Sequence, residues 1–100
     1  MSGGLKVRIN LQFLGLPMVC DVIGQRKLEI DAAGGTVNGV IEELIERYGE
    51  KVKEAFYPDG KFDAMIQIVL NGHTFIPSGQ LHTPLHEGDS LIFMLLVAGG

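Results

Sequence analysis

Apolar and polar residues alternate strictly at the start of the chain. Leu5, Val7, Ile9, Leu11 and Phe13 are apolar, and Lys6, Arg8, Asn10 and Gln12 stand between them. That two-residue period predicts a strand with one buried and one solvated face. Gly15, Pro17 and Gly24 punctuate the next stretch, whose apolar members Leu16, Met18, Val19, Val22 and Ile23 predict a packed loop or a single helical turn. A second short strand, Lys27 to Asp31, then runs into a turn at Ala32-Ala33-Gly34-Gly35.

Beyond that turn the period changes. Thr36 is placed to cap a helix, and Val37, Val40, Ile41, Leu44, Ile45 and Tyr48 recur at helical spacing until Gly49 stops it. Such a helix is a rod of roughly 20 Å. It can cover one face of a small sheet while Glu42, Glu43, Glu46 and Arg47 meet solvent. Glu50 to Tyr57 adds a weaker turn or two, and Pro58-Asp59-Gly60 is a turn. Ala64 to Leu70 is apolar and β-prone, and Asn71-Gly72 predicts a two-residue hairpin that returns the chain through His73 to Ile76. Pro77 to Leu85 reads as an irregular crossing, Glu87-Gly88-Asp89 as a turn, and Ser90 to Val97 as a last strand. Its nearly unbroken apolar run places that strand in the middle of a sheet, next to the first. The order of elements predicts an α+β fold of the β-grasp type: a mixed sheet of four to five strands packed on one main helix, with residues 1–100 as a single domain that ends in a flexible Gly99-Gly100 tail.

Composition narrows the function classes. At 100 residues, 46% hydrophobic and 20% charged, the chain has a real core but no room for a large catalytic cleft. A net charge of −4 argues against nucleic acid, whose binders gather Lys and Arg into a positive footprint. Cys20 is the sole cysteine, which points to a reducing cytoplasm. No apolar stretch reaches the length of a membrane span and the start lacks a secretory pattern, so neither membrane nor export is expected.

The chemistry is expected at Leu96-Val97-Ala98-Gly99-Gly100, which follows the last strand without a polar extension. Gly99 and Gly100 put an α-carboxylate on a stem free of Cβ atoms. Fully extended, Val97 to Gly100 reaches roughly 13–14 Å, enough to enter the active site of another protein. A terminal carboxylate with a pKa of about 3.5 is ionised and a poor electrophile, so it must be activated. Coupling to ATP gives an acyl-adenylate open to attack by a sulfur donor or an amine. The chain has no phosphate-cradling loop and no triad, so that ATP is expected to be used in trans, with no cofactor bound here.

Val69-Leu70-Asn71-Gly72, His82-Thr83-Pro84-Leu85-His86-Glu87-Gly88-Asp89-Ser90-Leu91-Ile92-Phe93 and the closing Val97-Ala98-Gly99-Gly100 resemble the MoaD/ThiS family of ubiquitin-like sulfur carriers. The resemblance implies a carrier protein, not an enzyme. A ubiquitin-activating-like enzyme would adenylate Gly100, and a sulfur donor protein would convert it to a thiocarboxylate. Sulfur would then pass to molybdopterin through the large subunit of molybdopterin synthase, or to the thiamin thiazole. Length favours the MoaD side, although Leu95-Leu96 stands where MoaD-like chains carry two prolines. Small archaeal modifiers share the fold and tail, which keeps attachment to lysines open.

If Leu91, Phe93 and Leu95 point to the helix, Ile92, Met94 and Leu96 face the other way and, with Val97 and Ala98, form a surface for the partner. The remaining candidates are weaker. Cys20 reads as a small packing residue. His82 and His86 have the spacing of a helical metal pair, but Pro84 lies between them. His73 reads as a strand residue, Glu42, Glu43 and Glu46 as a solvated helix face, and Asp59 and Asp63 lack the other ligands of a calcium loop.

Overall fold

Alternation in the first strand becomes alternation of burial. In the computed structural model, which describes residues 6–95, strand β1 (Lys6–Leu14) buries Ile9, Leu11 and Phe13 and exposes Lys6, Arg8 and Asn10. It pairs antiparallel with β2 (Lys27–Ala33), where Ile9 faces Ile30 and Leu11 faces Leu28. β2 therefore continues through Ala32 and Ala33, which the sequence assigned to the following turn.

Among the described residues the sheet has five strands in the order β2-β1-β5-β3-β4. β5 (Ser90–Leu95) is parallel to β1 and antiparallel to β3 (Ile66–Leu70). Its central place follows from composition, because a strand apolar on both faces loses least where both edges are paired. The outer strand β4 (Thr74–Ile76) is short, as suits an edge.

The β3–β4 hairpin differs from its two-residue expectation. Asn71 and Gly72 do take positive φ, 53° and 78°, and the His73 N–H donates to the Leu70 carbonyl at 3.2 Å. His73 is then left as an extra residue, and the ladder begins with Leu70 opposite Thr74. This slip by one residue changes which side chains of β4 face the core: Ile76 pairs with Ile68 on the buried side, and Phe75 with Val69 on the other.

Helix α2 (Val37–Tyr48) lies where the sequence placed it. Thr36 Oγ1 accepts from the Gly39 N–H at 3.1 Å, and Gly49 closes the far end by donating to the Ile45 carbonyl at 2.7 Å. The crossing segment completes the start of the helix, since the Thr83 and Leu81 carbonyls accept from the Val37 and Asn38 N–H groups at 3.1 and 2.7 Å. Those donors have no partner inside the helix. Two shorter helices accompany it. α1 (Pro17–Ile23) is two turns where a packed loop or one turn was expected, and α3 (Glu50–Phe56) packs on both α1 and α2. Val19, Val40, Ile41, Leu44, Val52 and Phe56 join the inward side chains of the sheet in one core. Phe93 stacks on Phe13 at 5.9 Å between centroids and meets Phe56 edge-on at 5.3 Å, which ties β1, β5 and α3 together. Among the described residues no polar or charged side chain is buried.

Candidate functional site

The described α-helices all pack on one side of the sheet, and no described element covers its other face. On β5, Leu91 and Phe93 are fully buried and Leu95 packs at the edge of the core, whereas Ile92 and Met94 point away and are half-buried. The strand register shows what surrounds them. Ile92 lies between Gln12 of β1 and Val69 of β3, and Met94 lies between Leu14 and Gln67. Beyond Val69 comes Phe75, 63% exposed. Leu14, Val69, Phe75, Ile92 and Met94 thus form an apolar patch on a face that no element of the described chain covers. Val69, although only 7% exposed, lies outside the contiguous core cluster on the helical side. Toward β2 the patch gives way to a shallow open depression of about 710 Å³ lined by Asn10, Gln12, Gln25, Lys27, Glu29 and Ile92. An apolar centre with a polar rim has the composition of a protein-docking surface.

A polar clasp fixes the end of this face. The Asn71 side chain accepts from the Ser90 N–H at 2.9 Å and donates to Asp89 Oδ1 at 3.1 Å, while its own N–H donates to the Ser90 carbonyl at 2.7 Å. Asp89 Oδ2 in turn accepts from the His86 N–H at 2.8 Å. Burial pushes the Asp89 carboxyl up, but the His86 N–H, the Asn71 amide and the nearby His86 ring together hold it below its ordinary value. The two turn motifs, Asn71-Gly72 and Gly88-Asp89, are thereby one structural unit that sets where β5 begins.

Of the residues expected to carry function, the fold brings Ile92 and Met94 together on the open face. Leu96, Val97, Ala98, Gly99 and Gly100 lie outside the described residues. The segment from Gly15 to Gly24 leaves the face clear, because α1 sends Val19 into the core on the helical side. Cys20 is half-buried in a cleft with Leu14, Pro17, Asp21 and Arg26. His82 and His86 are exposed, and among the described residues no group of three His, Cys, Asp or Glu comes close enough to hold a metal. Glu42 accepts from Asn38 and Glu43 pairs with Arg47 along the helix. No described helix is long and apolar enough to cross a membrane.

Leu14, Val69 and Phe75 are members of the face that sequence reasoning missed. Leu14 and Val69 carried a signal, since each is apolar at a position that its strand's alternation assigns to the outer side. Phe75 carried none without the true hairpin register.

The model of the ThiS family matches residues 11–100 of the chain. The chain belongs to the ThiS family. ThiS-family members are small sulfur-carrier and ubiquitin-like proteins, substrates rather than enzymes. A relative from Archaeoglobus fulgidus, named "Putative sulfur carrier protein", is 35% identical over 78 residues, covering 78% of this chain and 89% of the relative. The solution structure of small archaeal modifier protein 1 from Methanosarcina acetivorans superposes with a TM-score of 0.77 at 21% identity, over 97% of this chain and 100% of that one. A Pyrococcus furiosus structure named "Putative molybdopterin converting factor, subunit 1" gives a TM-score of 0.64 at 18% identity, over 91% of this chain and 99% of that one. At such identities the two structures speak for the fold, which is that of a ubiquitin-like β-grasp.

Proposed function

We propose that this ThiS-family protein carries sulfur as a thiocarboxylate on Gly100 for molybdopterin synthesis. A Gly100 carboxylate oxygen attacks the α-phosphorus of ATP held by a ubiquitin-activating-like enzyme, and pyrophosphate leaves. Free sulfide, or the terminal sulfur of a donor-protein persulfide, then attacks the acyl-adenylate carbon and AMP departs. Sulfide gives the thiocarboxylate at once, whereas the persulfide gives an acyl disulfide that a thiol cleaves, freeing the thiocarboxylate and leaving a disulfide on the donor. The large subunit of molybdopterin synthase takes the charged tail and passes the sulfur on. A reducing cytoplasm suits the product. The observation that carries this reading is the open apolar face of Ile92 and Met94 on β5, the strand that leads by sequence into Gly99 and Gly100. A partner seated there meets the tail at its root. The activation chemistry itself is supplied in trans, and the carrier contributes the carboxylate and the surface that delivers it.

The test is incubation of the full chain with its adenylating enzyme, ATP and inorganic sulfide, followed by intact mass measurement. Replacement of one oxygen by sulfur at Gly100 is the expected product. Lysine-linked adducts that vanish when Gly99 and Gly100 are deleted would make the protein a modifier instead, and no product of either kind would sink the carrier reading. Transfer to molybdopterin is then checked by adding the synthase large subunit and its sulfur-free precursor. If the thiocarboxylate forms but is not consumed, another acceptor such as the thiamin thiazole takes its place.

A further inference from the structure

Where β1 ends, the backbone of Gly15 lies directly against the peptide of Leu95, the last residue of β5. Gly15 has a φ of +69°, and a Cβ there would stand 2.9 Å from the Leu95 carbonyl oxygen, 3.7 Å from its nitrogen and 3.8 Å from its carbonyl carbon. The first distance is closer than real Cβ atoms come to anything. No flexible side-chain end is available to swing aside, because the neighbour is backbone. Leu95 is also held from its other flank by pairing with Ile66. A side chain at position 15 therefore forces the backbone to give way at this contact, at the Leu95 carbonyl or at Gly15 itself. Gly24 offers the contrast: its φ is +87°, yet nothing lies within 4 Å of a Cβ built there.

We propose that Gly15 is a positioning residue for activation of the tail: by lacking a side chain it fixes the Leu95 carbonyl and so aims the chain that bears the Gly100 carboxylate. This rests on the carrier function proposed above. Docking through Ile92 and Met94 holds β5 on the activating enzyme. The direction in which the chain leaves Leu95 is what then remains to bring the carboxylate to ATP. Misplacement by about 1 Å is enough to slow such a step roughly a hundredfold.

The experiment compares the full-length wild type with Gly15→Ala and with Gly24→Ala, which introduces the same unfavourable φ without the contact. Gly15→Asn is a second variant, because asparagine tolerates positive φ while placing a Cβ at the same point. Two quantities are read: the carbonyl carbon shift of Leu95 with the amide shifts that follow it, and kcat and KM for the carrier in ATP–pyrophosphate exchange with the adenylating enzyme. Both Gly15 variants should move the Leu95 carbonyl and lower kcat by about 10- to 100-fold with KM little changed, and Gly24→Ala should do neither. An unmoved carbonyl, an unchanged kcat, or a rise in KM alone overturns the aiming role. A wild-type chain that the enzyme never charges overturns the carrier reading and the aiming role together, whereas a charged wild type with equally competent Gly15 variants overturns the aiming role alone.

Discussion

Replacing Asn71 by alanine tests whether the two turn motifs form one clasp. The change removes a hydrogen bond from the Ser90 N–H at 2.9 Å and one to the Asp89 carboxylate at 3.1 Å, and it puts a Cβ without a polar group at a φ of 53°. The bonds lie at the surface, where water replaces part of each, so they contribute about 1 kcal/mol apiece. Left-handed backbone costs alanine about 1 kcal/mol more. The expected loss is therefore about 3 kcal/mol, a fall in Tm of roughly 10–20 °C for a domain of this size. Asn71→Gly should recover about 1 kcal/mol of that loss, since it relieves the backbone but not the missing bonds. Urea titrations at equal m-value measure both. A double-mutant cycle with Asp89→Ala should show coupling of at least about 0.5 kcal/mol. An Asn71→Ala protein within about 0.5 kcal/mol of wild type, or a cycle without coupling, would refute the clasp, whereas a glycine variant no more stable than the alanine one would refute only the backbone share.

Three further outcomes are expected. The Asp89 carboxyl sits below its ordinary value of 3.8, so its contribution is present above that value and is lost as pH falls through the lower folded one. Wild type should accordingly lose stability below about pH 4 relative to Asp89→Asn, and parallel acid titrations would contradict this. Phe75→Ser, at a side chain 63% exposed, should shift stability by no more than about 0.5 kcal/mol. It should nevertheless weaken binding of the adenylating enzyme by about tenfold or more in calorimetry, and unchanged affinity would remove Phe75 from the docking surface. Phe93→Ala empties the centre of the Phe13, Phe93 and Phe56 stack and should lose about 3–5 kcal/mol, with Phe93→Leu losing less; denaturant midpoints close to wild type would show that the stack is not central.

Legibility of the fold followed how local each signal was. The α2 boundaries were readable because Thr36 and Gly49 act on residues three or four positions away. The place of β5 was readable because its apolar run admits only a strand paired on both edges. The hairpin was half readable: Asn71-Gly72 announced a turn with positive φ, but one extra residue at His73 separates a two-residue loop from the observed one. That count decides the fate of Phe75, since a two-residue loop would have set it opposite Ile68 on the core side. Two-turn α1 was obscured because Pro17 and Gly24 read equally well as loop punctuation and as the start and end of a helix. Within the site, Ile92 and Met94 followed from alternation, whereas the contact of Gly15 with Leu95 joins residues eighty positions apart and left no mark on local pattern.

Strand β5 is laddered to β1 on one flank and to β3 on the other, and this decides how the protein bears mechanical load. An enzyme that grips the chain past Leu95 and pulls along the strand applies shear to two ladders at once. Their bonds must yield together, whereas an outer strand such as β2 would peel from its free side one bond after another. Local opening at β5 thus requires nearly the whole fold to open. A molecule built this way can be handed from one machine to the next by its end without unravelling.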